Sequence, residues 1–176
     1  MKIFLIGFMG CGKTTMGRKL ANYMGYEFID LDKLMEANQG MTVPEYFSLH
    51  GEEAFRKLEH ETLQKTNFSE KTVISTGGGA PCFFDNMDWM NRNGKSVYMC
   101  LSPQVLANRL ENAKTERPLI KGKKGQVLVD FITQKLGERE GFYKQANYSV
   151  NSNDLTADKF AEQIGLNEKD SQSTQS

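Results

Sequence analysis

The fold is decided by the stretch Lys2-Ile3-Phe4-Leu5-Ile6-Gly7-Phe8-Met9-Gly10-Cys11-Gly12-Lys13-Thr14-Thr15. Ile3 to Ile6 is an unbroken apolar run, the mark of a strand buried on both faces. Gly7 to Gly12 is a glycine-rich turn, and a helical pattern begins at Lys13. G-x-x-x-x-G-K-T between a strand and a helix is the spacing of a P-loop. Its glycines let the backbone curl, some at positive φ, so that successive N–H groups face phosphate oxygens. The unpaired N–H groups and positive dipole end of the next helix complete the cradle. On this reading Gly10, Cys11, Gly12, Lys13, Thr14 and Thr15 bind a nucleoside triphosphate. Lys13 reaches the β- and γ-phosphates, and the Thr14 hydroxyl ligates Mg²⁺. Cys11 reads either as a small residue tolerated in the turn or as an exposed, oxidisable thiol.

Working outward, Met16, Leu20 and Met24 form the apolar stripe of a helix from about Lys13 to Met24, closed by Gly25. Phe28, Ile29 and Leu31 suggest a second buried strand over 26–32, with Asp30 and Asp32 at its carboxyl end. Ligands of open α/β sheets bind outside the carboxyl ends of strands, and side chains two apart share a face. Asp30 and Asp32 then point into one cleft beside the P-loop, one toward Mg²⁺ through water and the other toward an acceptor hydroxyl. The competing reading makes Asp32 the N-cap of a helix starting at Lys33. Thr42-Val43-Pro44-Glu45 is a capping box opening a short helix with Phe47. After Gly51 a longer helix carries Phe55 and Leu58 on one face, with Glu52, Arg56 and Glu59 elsewhere around it.

Thr72 to Thr76 is a third strand, ending in Gly77-Gly78-Gly79. Three glycines there cost entropy unless the backbone must come close to something, such as a ligand. A helix over 83–90 with Trp89 in core or subunit contact, a fourth strand over 96–101 and a helix opened by Ser102-Pro103 follow. From about 112 to 125 the chain is polar, basic and glycine-punctuated, and reads as a mobile lid able to close over phosphates. A helix resumes near Gln126 and runs toward Tyr143. Tyr148 to Val150 is a fifth strand, and Thr156 caps a last helix. Strands alternate with helices throughout, which specifies an α/β fold: a five-stranded parallel sheet covered on both faces, in a single domain over 1–166. The polar tail, 167–176, reads as disordered.

The 176 residues carry 22 basic and 22 acidic side chains, with no basic block, so nothing supports a nucleic-acid or membrane-surface partner. Three cysteines without metal or disulfide spacing indicate a reducing compartment. No apolar run approaches the roughly 20 residues of a membrane span, and the first strand begins too early for a signal peptide. The expectation is a cytoplasmic protein.

Taken together, the P-loop, Asp30-Leu31-Asp32, Phe47…Gly51-Glu52…Phe55-Arg56…Glu59, Thr76-Gly77-Gly78-Gly79, Arg117-Pro118-Leu119 and Arg139…Tyr143 closely resemble the shikimate kinase family over roughly residues 2–165. The P-loop alone is shared by many unrelated NTPases; the combination is far more specific. The resemblance implies a nucleoside monophosphate kinase-like fold with a substrate-binding helical region at about 33–60 and a lid. It implies transfer of the γ-phosphoryl group of ATP to the 3-hydroxyl of shikimate, in aromatic amino-acid biosynthesis, by a monomer. By position, Thr14 and Asp30 correspond to the Mg²⁺ residues, and Asp32 to the carboxylate that binds the ring hydroxyls and takes the proton. Arg56 and Arg139 correspond to the pair holding the substrate carboxylate, Gly78 and Gly79 to backbone contacts with a ring hydroxyl, and Lys13 and Arg117 to the phosphate-binding cations. Gly141 departs from a frequent proline, and Asn151 to Asp154 lack a basic residue that often contacts adenine. A gluconate-type kinase of the same fold and a nucleotide-binding module without transfer are the rival readings.

Overall fold

The computed structural model describes residues 1–114 and 117–166. The expected tail, 167–176, and Thr115 and Glu116 of the expected lid lie outside the described residues. In chain order the strands are β1 (Lys2–Ile6), β2 (Glu27–Asp30), β3 (Thr72–Ser75), β4 (Lys95–Cys100) and β5 (Tyr148–Asn151). The helices are α1 (Lys13–Met24), α2 (Leu31–Gln39), α3 (Val43–Lys65), α4 (Asn86–Asn93), α5 (Pro103–Glu111), α6 (Gly125–Tyr143) and α7 (Ala157–Gln163). Short 3₁₀ turns occupy Ala80–Cys82 and Pro118–Ile120.

The five strands form one parallel sheet in the order β2-β3-β1-β4-β5. The apolar run of β1 is central, and Ile3, Phe4, Leu5 and Ile6 have no exposed surface. Alternate side chains of a strand point to opposite faces, and both faces are covered. Gly17 of α1 comes so close to the Leu5 face that a Cβ there would lie 3.3 Å from the Leu5 side chain. On the other face, Trp89 of α4 meets Phe4 edge-on at 5.7 Å. Trp89 is therefore a half-buried core contact.

Not every strand is buried as its apolar content suggested. β2 and β5 are the sheet edges and are largely half-exposed or exposed. β2 also ends at Asp30, two residues before the expected boundary. α4 starts at Asn86, not Phe83, because Phe84 adopts φ 51°, incompatible with a helix. Around α3 the buried set is Phe55, Glu59, Thr62 and Leu63, while Leu58 is half-buried, so the inward face is rotated from the expected one. Gly51, at φ 82°, breaks the helix as its position suggested. Thr156 stands at the start of α7, but its hydroxyl makes no capping bond and faces Asp158 instead. α6 continues through Gly141 to Tyr143.

The register puts the functional loops side by side. Leu5 and Asp30 both lie opposite Ser75, so the P-loop, Asp30 and the glycine run emerge together at the carboxyl edge of the sheet.

Candidate active site

The P-loop has the backbone its glycines were expected to supply. Gly7, Gly10 and Gly12 stand at φ 146°, 81° and 92°, and Gly12 is the N-cap of α1. Space is also short, since a Cβ at Gly10 would lie 2.9 Å from Leu110. Cys11 is 1% exposed, which excludes the exposed-thiol reading and leaves a small residue that fits the turn. Lys13 departs from a freely extended charge. Its Nζ donates to the carbonyls of Gly7 (2.6 Å) and Phe8 (3.1 Å), so the cation sits inside the loop and braces it.

The two aspartates do not share a strand face. Asp30 is the N-cap of α2, its Oδ1 accepting from the amides of Asp32 (3.0 Å) and Lys33 (3.2 Å). Asp32 lies in the first turn, so the capping reading chose the right device and the wrong aspartate. Asp30 retains Oδ2, which accepts from the Thr14 hydroxyl at 3.1 Å. Asp32 is held above the usual carboxylate range, first by burial and then by the charge of Asp30, with Lys13 and Arg117 pulling it down.

Opposite the P-loop, the three glycines make room for charge. Their φ values are not positive, so the need is for space, not for an unusual backbone. A Cβ at Gly77 would lie 2.9 Å from Glu59 Oε2 and 3.3 Å from Asp32 Oδ1. At Gly78 it would lie 3.3 Å from Arg139 Nη1, and at Gly79 2.5 Å from Arg56 Nη1. Two guanidinium groups and two carboxylates thus converge on one short loop.

Arg56 is pinned. Its guanidinium lies 4.4 Å from the Phe83 ring centre and 5.1 Å from that of Phe55, and its Nη1 donates to Glu59 Oε1 at 3.0 Å. Its buried Nε has no hydrogen-bond partner, with Glu52 Oε1 3.6 Å away. A carboxylate arriving here would meet unspent donors in fork geometry. Arg139 packs over Phe8 at 5.7 Å.

Glu59 is 1% exposed and is pushed up to about 7. Burial raises it, Arg56 lowers it by charge and hydrogen bond, and burial wins.

The P-loop, the two aspartates and the first two glycines of the run line a cavity of about 310 Å³ whose walls include Gly10, Gly12, Lys13, Thr14, Thr15, Asp30, Asp32, Gly77, Gly78 and Arg117. Arg56, Gly79 and Arg139 stand just behind its floor, and buried Cys11 lies within the loop. A second hollow of about 180 Å³ continues past the P-loop, between Arg109, Thr15, Lys19, Ser152 and Leu155. Arg109 Nη1 and Ser152 Oγ both donate to the Cys11 carbonyl, each at 3.4 Å. The expected lid is closed at its base by the Gly125 amide, which donates to Glu111 at 2.5 Å. Lys123 turns away onto Phe131.

Three features were missed in the sequence. Glu59 stood in the recognised pattern without a role, yet its i+4 spacing from buried Phe55 was a signal. Arg109 reads as an ordinary cation in the last turn of a helix. Tyr143, fully buried, was recorded only as part of a pattern. Among the described residues, no three His, Cys, Asp or Glu side chains cluster as a metal site. No helix there is long and apolar enough to cross a membrane.

The chain is similar to shikimate kinases in sequence and in structure. The family model described as shikimate kinase matches residues 9–167. A shikimate kinase from Bacteroides fragilis is 52% identical over 148 residues, 84% of this chain and 83% of that protein. The crystal structure of shikimate kinase from Bacteroides thetaiotaomicron superposes with a TM-score of 0.84 at 46% identity, covering 97% of this chain and 93% of that one. Shikimate kinase from Acinetobacter baumannii, solved in complex with shikimate, superposes with a TM-score of 0.81 at 32% identity, covering 93% and 89%. The matched span includes most of the P-loop, both aspartates, Glu59, the glycine run and all the arginines of the cavity, and this chain belongs to the shikimate kinase family.

Proposed function

We propose that this chain transfers the γ-phosphoryl group of ATP to the 3-hydroxyl of shikimate, releasing shikimate 3-phosphate and ADP. One observation carries the reading. A triphosphate cradle and Asp32 line one cavity whose floor includes Gly77 and Gly78, and Arg56, Arg139 and Glu59 converge on that same glycine run from behind the floor. That floor suits a small polyol with one carboxylate. A nucleotide-binding module without transfer would leave the two arginines without a purpose.

The triphosphate lies along the amides of Gly10 to Thr15, at the N-terminus of α1, with Lys13 and Arg117 as its cations. The base lies in the hollow beside Arg109 and Ser152, where Arg109 is the basic side chain that Asn151 to Asp154 do not offer. The donor set fits Mg²⁺. Thr14 and Asp30 Oδ2 are hard oxygens facing the cradle, and Mg²⁺ is held by one or two protein oxygens together with phosphates and water. When bound there, the ion neutralises charge on the β- and γ-phosphates.

Arg56 and Arg139 clamp the acceptor carboxylate, which orients the ring. The amides of Gly78 and Gly79 and the Asp32 carboxylate hold its hydroxyls. The acceptor oxygen forms the new bond to γ-phosphorus while the bond to the β,γ-bridging oxygen breaks. The hydroxyl proton passes to Asp32, whose raised pKa suits it to receive one. Arg117 and Lys13 stabilise charge on the moving phosphoryl group. The segment over 112–125 acts as the lid that excludes water, and 33–60 as the acceptor-binding region. The three free cysteines suit the cytoplasm.

The test is an assay of ADP release with Mg-ATP, alone or with shikimate, gluconate or AMP. Release only with shikimate supports the proposal. Release with another acceptor, or with none, rejects the acceptor site.

A further inference from the structure

Tyr143 closes α6 with no exposed surface, tilted against Tyr98 with ring centres 5.1 Å apart behind the glycine run. Its hydroxyl nonetheless reaches the site and donates to the Gly78 carbonyl at 2.5 Å. The other two carbonyls of the run are also taken. Gly77 accepts from the Ala80 amide at 3.2 Å, and Gly79 from that of Cys82 at 3.0 Å. Among the described residues no acceptor takes the amides of Gly78 or Gly79. The loop thus spends its acceptors inward and keeps two donors.

A trans peptide is planar, and its C=O and N–H point in opposite directions. Fixing the Gly78 carbonyl toward Tyr143 therefore directs the Gly79 amide away from the core. Glycine peptides are the freest to flip, so this is where a tether matters most. Tyr143 also lies one helical turn beyond Arg139, whose Nη1 borders Gly78 and whose guanidinium interacts with the Tyr143 hydroxyl. One turn of α6 thus carries a guanidinium and the tether that fixes the loop beside it.

We infer that Tyr143 is a positioning residue for the acceptor, its hydroxyl holding the Gly78–Gly79 peptide so that the Gly79 amide meets a ring hydroxyl. This rests on the proposed shikimate kinase reading. It assigns Tyr143 no contact with substrate, only control of a group that makes one.

The experiment measures initial rates for wild type, Tyr143→Phe, Tyr143→4-aminophenylalanine and Tyr98→Phe, varying shikimate and ATP separately. Loss of the hydroxyl's bond to Gly78, together with its contact to Arg139, predicts a KM for shikimate raised about 3- to 10-fold in Tyr143→Phe. The KM for ATP stays within about twofold and kcat falls less than KM rises. The amino variant keeps a donor and returns the shikimate KM toward wild type. Tyr98→Phe, which alters the same aromatic pair and leaves the Gly78 bond, leaves it unchanged. The inference is overturned if both KM values move together, if the shikimate KM is unmoved, or if Tyr98→Phe has the same effect. It is also overturned if Tyr143→Phe fails to fold, because the hydroxyl then serves the core. A wild type that does not phosphorylate shikimate overturns the functional reading instead.

Discussion

Glu59→Gln isolates the least expected group in the site. The carboxyl is 1% exposed and is raised from an ordinary 4.5 to about 7, so the folded state holds its proton more tightly than the unfolded chain. Its contribution to stability is complete below about pH 4.5 and is lost as pH rises through about 7. At 1.36 kcal/mol per unit, the ionised carboxylate costs the fold about 3 kcal/mol at pH 8 relative to pH 4.5. Glutamine keeps the shape and an oxygen for Arg56 Nη1, and its amide can face Asp32 across Gly77. Thermal unfolding of both proteins from pH 5 to 8 reads the difference. The curves should lie closest at pH 5, diverge steadily up to about pH 7 and run nearly parallel above it. By pH 8 the variant should be the more stable by up to about 3 kcal/mol, or roughly 6–12 °C in Tm for a chain of this size. Curves that stay parallel across the range would show that Glu59 does not titrate there. A variant less stable at pH 8 would show that the ion pair with Arg56 outweighs the cost of burial.

Asp32→Asn should lower kcat at least about 100-fold while ATP affinity, measured by calorimetry, stays within about threefold. Near-wild-type turnover would remove Asp32 from proton transfer. Gly79→Ala is tolerated by the backbone, at φ −90°, but its methyl would lie 2.5 Å from Arg56 Nη1. It should raise the shikimate KM at least about 10-fold and spare the ATP KM, both read by steady-state rates. Gly137→Ala, inside α6 with nothing within 4 Å of the new methyl, should add about 0.5–1 kcal/mol of stability by denaturant melt with unchanged kinetics.

The local rules were legible where short-range physics decides. The β1 run, the P-loop glycines, the Thr42 capping box and the Gly51 break all appear as read, because each depends on a few adjacent residues. The acceptor site was legible only through a combination of distant residues. Arg56 alone reads as a surface cation, and only the fold brings it onto Gly79. The errors share a cause. Helical periodicity assigns charged residues to solvent, so Glu59 was placed off the buried face, although Arg56 makes its burial tolerable. Strand length came from apolar content, yet Asp30 ends β2 by capping α2 and so takes Asp32 off the strand face. Edge position, which leaves β2 and β5 half-exposed, is a property of sheet order and has no local signature. Tyr143 resembles any buried aromatic until its hydroxyl is traced to Gly78.

The most direct measurement follows the phosphorus atoms themselves. Mg-ATP and shikimate are mixed with the protein and monitored by ³¹P NMR. The cavity geometry predicts that the γ-phosphate signal declines in step with growth of one phosphomonoester signal, a doublet split by the single proton on the acceptor carbon. Inorganic phosphate in its place would mean that water, not an acceptor held by Arg56 and Arg139, receives the group. An unchanged ATP spectrum would contradict phosphoryl transfer at this site altogether.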